Sequence, residues 1–220
     1  MRRFEEELEA LKAQLLEMSG LVESAVFRSV QALTEHDREL AQGVLKNEKR
    51  VNQMEIEIDD AATRLLALQQ PMATDLRFLT AAIKINNDLE RMGDLAVSIA
   101  ERALSLMDQP PVTSSIDIPH MASLTESMVR KSLDAFVKKD PDLARSVLIS
   151  DDAVDDLRDA IYQELIETMK QTPDAVPQCV SLMFVARNLE RIADHATNIA
   201  EDVLYLVKGI DVRHHAETRP

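Results

Sequence analysis

LERMGDLAVSIAE, residues Leu89–Glu101, is rewritten one hundred residues later as LERIADHATNIAE, Leu189–Glu201. Eight of the thirteen positions are identical, and the acids fall at i, i+4 and i+11 both times: Glu90, Asp94 and Glu101, then Glu190, Asp194 and Glu201. On a helix of 3.6 residues per turn these acids share one narrow line, with Asp194 at about 40° and Glu201 at about 20° from Glu190. Ile192, Ala196, Ile199, Ala200 and Val203 fall on a separate arc and form the expected core face. A carboxylate line beside an apolar face, written twice half a chain apart, predicts a duplicated helical unit. A long period with two copies excludes a solenoid.

Outward from these stretches the chain reads as helix throughout. In 220 residues there are 4 glycines, 3% aromatics and no Trp, which disfavours sheet and its turns. Phe4, Leu8, Leu11, Leu15, Met18, Val22, Ala25, Ser29 and Ala32 alternate in spacings of four and three, as in a bundle seam. That pattern fades at His36 and Asp37. A second helix is expected with Val51, Met54, Ile58, Ala62 and Leu65 on one face, and Pro71 in QQPMATD ends it. Thr74 is the expected N-cap of the third helix, which runs through the first acidic stretch to about Met107.

DQPPVTSSIDIPH, residues 108–120, contains the linker, residues 110–119. After it the plan repeats, with helices from about Met121 to Lys138 and Leu143 to Met169, and a break at QTPDAVP. The last helix is stopped by Lys208 and Gly209. The expected architecture is all-α, with two tandem three-helix bundles related by pseudo-twofold symmetry. Residues 1–109 form the first bundle, 120–210 the second, and 211–220 an aperiodic tail.

Charge narrows the partners. A net charge of −14 repels a phosphate backbone and excludes nucleic acid, while suiting cations or basic protein surfaces. No apolar run approaches the roughly 20 residues that span a bilayer, so no direct membrane insertion is expected. Cys179 is the single cysteine, so no intramolecular disulfide forms and a reducing, cytoplasmic compartment is expected. Its apolar surroundings make it a buried structural thiol.

The acidic lines have a bland explanation and a sharper one. Arg91 and Arg191 precede Asp94 and Asp194 by three residues, so plain surface ion pairs account for each line taken singly. The second helices add further oxygen ligands: Glu48, Asn52, Glu55 and Asp59 in the first half, and Asp151 and Asp155, near Asp152 and Asp159, in the second. Facing carboxylates four residues apart suit hard cations such as iron, manganese, magnesium or calcium. Zinc more usually recruits Cys or His. The candidate metal ligands are therefore Glu48, Asn52, Glu55, Glu90, Asp94, Asp151, Asp155, Glu190 and Asp194. Arg158 and Tyr162 stand where Glu55 and Asp59 map, so the second set is expected to bind a cation less well.

These residues resemble the PhoU family of bacterial phosphate-transport accessory and phosphate-regulon regulators. The resemblance covers essentially all 220 residues. It rests on the two ER(M/I)(G/A)D stretches, on KRVNQMEIEID from Lys49, and on QQPMATDLR from Gln69 to Arg77. The paired acidic motifs match at Glu90/Asp94, Glu190/Asp194 and Asp151/Asp155, with Asn52 replacing the second acid of Glu48/Asn52. The second half lacks a DLR equivalent.

The resemblance implies iron or zinc clusters on the bundles, as in some members. It also implies a non-catalytic cytoplasmic adaptor and homodimer, peripheral to the inner membrane through its partners. Those partners would be the ATPase of a phosphate ABC transporter and a membrane sensor histidine kinase, with the phosphate regulon repressed when phosphate is plentiful. A ferritin-like di-iron enzyme would need Glu-x-x-His on two helices, and Gly93 and Ala193 stand at those places instead. A metal-free helical scaffold is the other alternative. His195, off the acidic line, reads as a surface residue.

Overall fold

The structure, a computed structural model, describes residues 2–69, 71–112 and 116–209. The expected tail, 211–220, lies outside the described residues. Six α-helices follow in order: α1 (Arg2–Glu35), α2 (Arg38–Gln69), α3 (Ala73–Met107), α4 (Ile118–Lys138), α5 (Pro141–Gln171) and α6 (Val176–Lys208). A turn of 3-10 helix at Pro173–Ala175 fills the QTPDAVP break. No strand occurs among the described residues.

The heptad residues of α1 from Leu8 to Ala32 are buried, with Phe4 packed at their edge. The predicted face of α2, Val51 to Leu65, is buried in the same way. Helix ends follow local chemistry. His36 takes φ 55°, and Asp37 then caps α2, accepting from the backbone N–H of Glu39 at 2.9 Å and Leu40 at 3.0 Å. The second half repeats this device. Lys139 takes φ 52°, and Asp140 accepts from Asp142 at 2.9 Å and Leu143 at 3.0 Å. At the end of α6, Gly209 adopts φ 68° and its N–H donates to the Tyr205 carbonyl at 2.9 Å.

Two boundaries differ from expectation. Thr74 caps nothing, because α3 begins at Ala73 with Met72 in the cap position and no side-chain bond there. α4 begins at Ile118, ahead of the expected start near Met121, because the Asp117 carboxylate accepts from the His120 N–H at 3.0 Å.

α1–α3 form one bundle and α4–α6 the other, and α3 packs along α6 so that a single core runs through both. Four polar or aromatic pairs fix the antiparallel register of that seam. Lys84 Nζ meets Asp202 Oδ1 at 2.7 Å, and Asn198 Nδ2 donates to Asp88 Oδ1 at 3.3 Å. Asn188 Nδ2 donates to Ser98 Oγ at 3.0 Å, and Arg102 lies 4.7 Å above the Phe184 ring. Each pair maps onto another under the hundred-residue shift: Lys84/Asp202 onto Phe184/Arg102, and Asp88/Asn198 onto Asn188/Ser98. The pseudo-twofold axis therefore crosses the seam at the level of Gly93 and Ala193. A salt bridge on one side is answered by a cation–π contact on the other.

Candidate functional site: two unequal acidic faces

α2 approaches α3 closely where Gly93 has no side chain; a Cβ there would stand 3.3 Å from Val51 Cγ1. This brings Glu55 within electrostatic reach of Glu90, and Asn52 follows Val51 on the same helix. Burial first, then the neighbouring Asp94 charge, raises the Glu90 carboxyl above its usual range, and Glu55 adds to the effect. Arg91 lies 3.5 Å from Glu90, so it offsets that acid rather than Asp94. Asn52 Oδ1 is buried and has no hydrogen-bond partner, an arrangement that costs free energy unless a cation or donor meets it.

Glu48 is half-buried one turn earlier on α2. Asp59 turns the other way. Asn86 Nδ2 bonds both the Glu55 carbonyl at 2.8 Å and Asp59 Oδ1 at 3.2 Å. Glu55 and Asp59 thereby reach a groove of about 460 Å³ on the seam, shared with Lys84, Asp88, Asn198 and Glu201.

The second face is built differently. Arg158 of α5 lies between the two helices, its Nη1 2.9 Å from Asp155 Oδ1 and 2.7 Å from Glu190 Oε1. Its Nε reaches Asp159 Oδ1 at 3.0 Å. Burial opposes the charge on this guanidinium, but Asp159, Asp155 and Glu190 together hold it more firmly protonated. Tyr162 is neutral: its hydroxyl donates to the Met183 carbonyl at 3.3 Å, and burial raises its pKa. Asp151 and Asp194 lack a comparable cation. Burial, then Asp194 and the other acids around it, pushes Asp151 up to about 6. Asp194 is raised by burial and by Glu190 and Asp155.

Among the described residues no three His, Cys, Asp or Glu side chains converge as a metal cluster. The donor types still separate the two faces. Glu55, Glu90, Asp94 and the unpartnered Asn52 oxygen are acceptors that fit a hard cation. The second face does not fit a cation bound across Asp155 and Glu190, because a permanent guanidinium already sits there.

Sequence reasoning missed the seam. His195 is no surface residue: its Nδ1 lies 2.8 Å from Asp88 Oδ1, across the two bundles. The contrast between Asp88 and Asn188 in matching places was the available signal. Cys179 is buried, as expected, and burial raises its thiol. No helix among the described residues is long and apolar enough to cross a membrane.

Comparison with known proteins agrees with this architecture. The PhoU domain matches twice, at residues 15–103 and 118–203. A phosphate-specific transport system accessory protein PhoU homolog from Pseudomonas aeruginosa is 42% identical over 219 residues, spanning 99% of this chain and 90% of that protein. The phosphate-specific transport system accessory protein PhoU of Serratia marcescens is 37% identical, over 96% of this chain and 87% of its own. The crystal structure of PhoU from Pseudomonas aeruginosa superposes with a TM-score of 0.92 at 41% identity, covering 94% of this chain and all of that one (100%). The phosphate transport system regulatory protein PhoU from Streptococcus pneumoniae gives 0.87 at 31% identity, over 95% and 99% of the two chains. A duplicated three-helix bundle, matched along nearly its whole length by these proteins, places the chain in the PhoU family.

Proposed function

We propose that this protein is a non-catalytic regulator of phosphate uptake. In this reading it is a cytoplasmic adaptor that links the ATPase of a phosphate ABC transporter to a membrane sensor histidine kinase. It holds phosphate-starvation genes off when phosphate is plentiful. The observation that carries the reading is the near-full-length relationship to accessory proteins of phosphate-specific transport. The net charge of −14 supports partners that present basic surfaces, and such contacts weaken with salt because exposed charges are screened within about 10 Å at 0.1 M. Working as a homodimer would give each partner two copies of the same surface.

Within that role the first acidic face holds a divalent cation, iron or manganese by ligand type. Glu90, Asp94 and Glu55 would bind it with Asn52, and Glu48 stands one turn away. A bound cation would neutralise the acids whose charges now raise the Glu90 carboxyl, tying α2 to α3. The second face keeps Arg158 as its cation.

Deletion of the gene tests the regulatory reading. A phosphate-starvation reporter should switch on in high-phosphate medium and fall silent when the wild-type gene is restored. A reporter still repressed in the deletion strain would refute the assignment.

A further inference from the structure

The two ends of the seam are closed differently. At one end Phe78 of α3 stacks on Phe136 of α4, with ring centroids 5.9 Å apart and planes 14° from parallel. The ammonium of Lys12, from the first turns of α1, stands over the Phe78 ring at 5.4 Å. At the opposite end the hundred-residue shift puts Gln178 in the place of Phe78. Leu33 takes the place of Phe136, since each stands three residues before the left-handed residue that ends its helix, His36 or Lys139.

The helix over that end is also shorter. α1 has 34 residues and α4 has 21, so where the first bundle lays helix over Phe78, the second has the proline-rich linker. Two aromatic rings and several helical turns have thus been replaced by less bulk. A cavity of about 200 Å³ remains, lined by Leu33, Leu106, Met107, Pro110, Val112 and Leu182.

Gln178 also lines this cavity. It is 8% exposed, and its Oε1 is buried with no hydrogen-bond partner. A buried acceptor left unpaired is costly, so something normally answers it. Water is a poor answer here, because a held water needs two to four polar partners. Of the other polar side chains on the wall, Thr34 has its hydroxyl committed to the carbonyls of Val30 and Gln31, both at 3.2 Å, and His36 is exposed. Apolar cavities of roughly 150 Å³ stay dry and accept a benzene-sized guest.

We propose that this cavity is a binding site for a small aromatic molecule, between one ring and an indole in size. A single N–H or O–H of the ligand donates to Gln178 Oε1. The guest occupies the space that the Phe78–Phe136 stack fills at the other end. It touches α1 and α3 of one bundle and α6 of the other, so binding stiffens the seam between them. This inference does not rest on the phosphate-regulatory reading.

The test titrates purified full-length protein with indole and with 1-methylindole, which keeps the rings but lacks the donor. Ligand-observed NMR or calorimetry reads the affinity. Indole should bind saturably at one site per chain, and 1-methylindole at least about fivefold more weakly. The double substitution Leu33→Phe with Gln178→Phe rebuilds the stack of the opposite end. It should stay helical and lose indole binding, and Leu182→Phe fills the same space from α6 should the double variant not fold. No saturable indole binding by the wild type at millimolar concentration would overturn the proposal. Undiminished binding in a folded cavity-filling variant, or equal affinity for the two ligands, would overturn it as well.

Discussion

Arg158 Nη1 lies 2.7 Å from Glu190 Oε1, on the one acidic face where the duplicated motif is otherwise kept intact. The same nitrogen reaches Asp155 at 2.9 Å, so one side chain joins α5 to α6 through both motif carboxylates. In the first bundle the corresponding place belongs to Glu55, an acceptor. Duplication copied the acids, and one arginine changed what their second copy can bind.

Removing that arginine exposes the difference. Arg158→Ala leaves Asp155 and Glu190 beside Asp151 and Asp194 with no internal cation. Its expected cost is about 1–3 kcal/mol at neutral pH and low salt, because partly buried carboxylates lose a charge-assisted bond. Millimolar manganese should then recover more thermal stability in the variant than it adds to the wild type. Melting followed by circular dichroism, with and without metal, measures both effects.

Asp151 gives the second face a pH dependence of definite sign. Its pKa rises from 3.8 to about 6 on folding, so the folded state holds the proton more tightly. The group therefore favours folding below the unfolded pKa, and that contribution is lost as pH climbs from about 4 to 6. Above pH 6 its charge opposes folding. Asp151→Asn should raise stability at pH 7–8 by about 1 kcal/mol, less than the full shift implies because the side chain is half-exposed and screened. The gain should vanish below pH 4. Urea midpoints at pH 4, 6 and 8 would show this trend.

The seam offers a third comparison. Asp88 accepts from both His195 and Asn198, whereas its mirror residue Asn188 donates to Ser98 alone. Asp88→Ala leaves two partners unanswered and should cost about 1–3 kcal/mol; Asn188→Ala leaves one and should cost about 1 kcal/mol. Asp88→Asn, which can still pair with one of its neighbours, should fall between wild type and Asp88→Ala. Chemical denaturation of the three variants would rank them.

The helices were legible because their signals are local. Leu8 to Ala32 carry the heptad, Pro71 and Pro173 break the chain, and Gly209 supplies a left-handed stop. The unequal acidic faces were legible too, since Arg158 and Tyr162 fall in helical register with Asp155. The seam was not. α3 and α6 each bury residues toward two helices of their own bundle and toward each other, so nearly every apolar position on them has a use and periodicity cannot say which neighbour it meets. His195 finds Asp88 107 residues away, and no local pattern encodes that pairing. Thr74 failed as a cap for a related reason: Pro71 ends α2, but the helix restarts two residues earlier than cap preference alone predicts.

The central claim is that the two acidic faces, alike in motif, differ in what neutralises them. Metal content decides it most directly. Protein purified without chelator and equilibrated with manganese is compared with the pairs Glu90→Ala/Asp94→Ala and Glu190→Ala/Asp194→Ala, by elemental analysis per chain. The first pair should lose the bound metal and the second should retain it. Equal losses, a larger loss from the second pair, or no bound metal in the wild type would contradict the account.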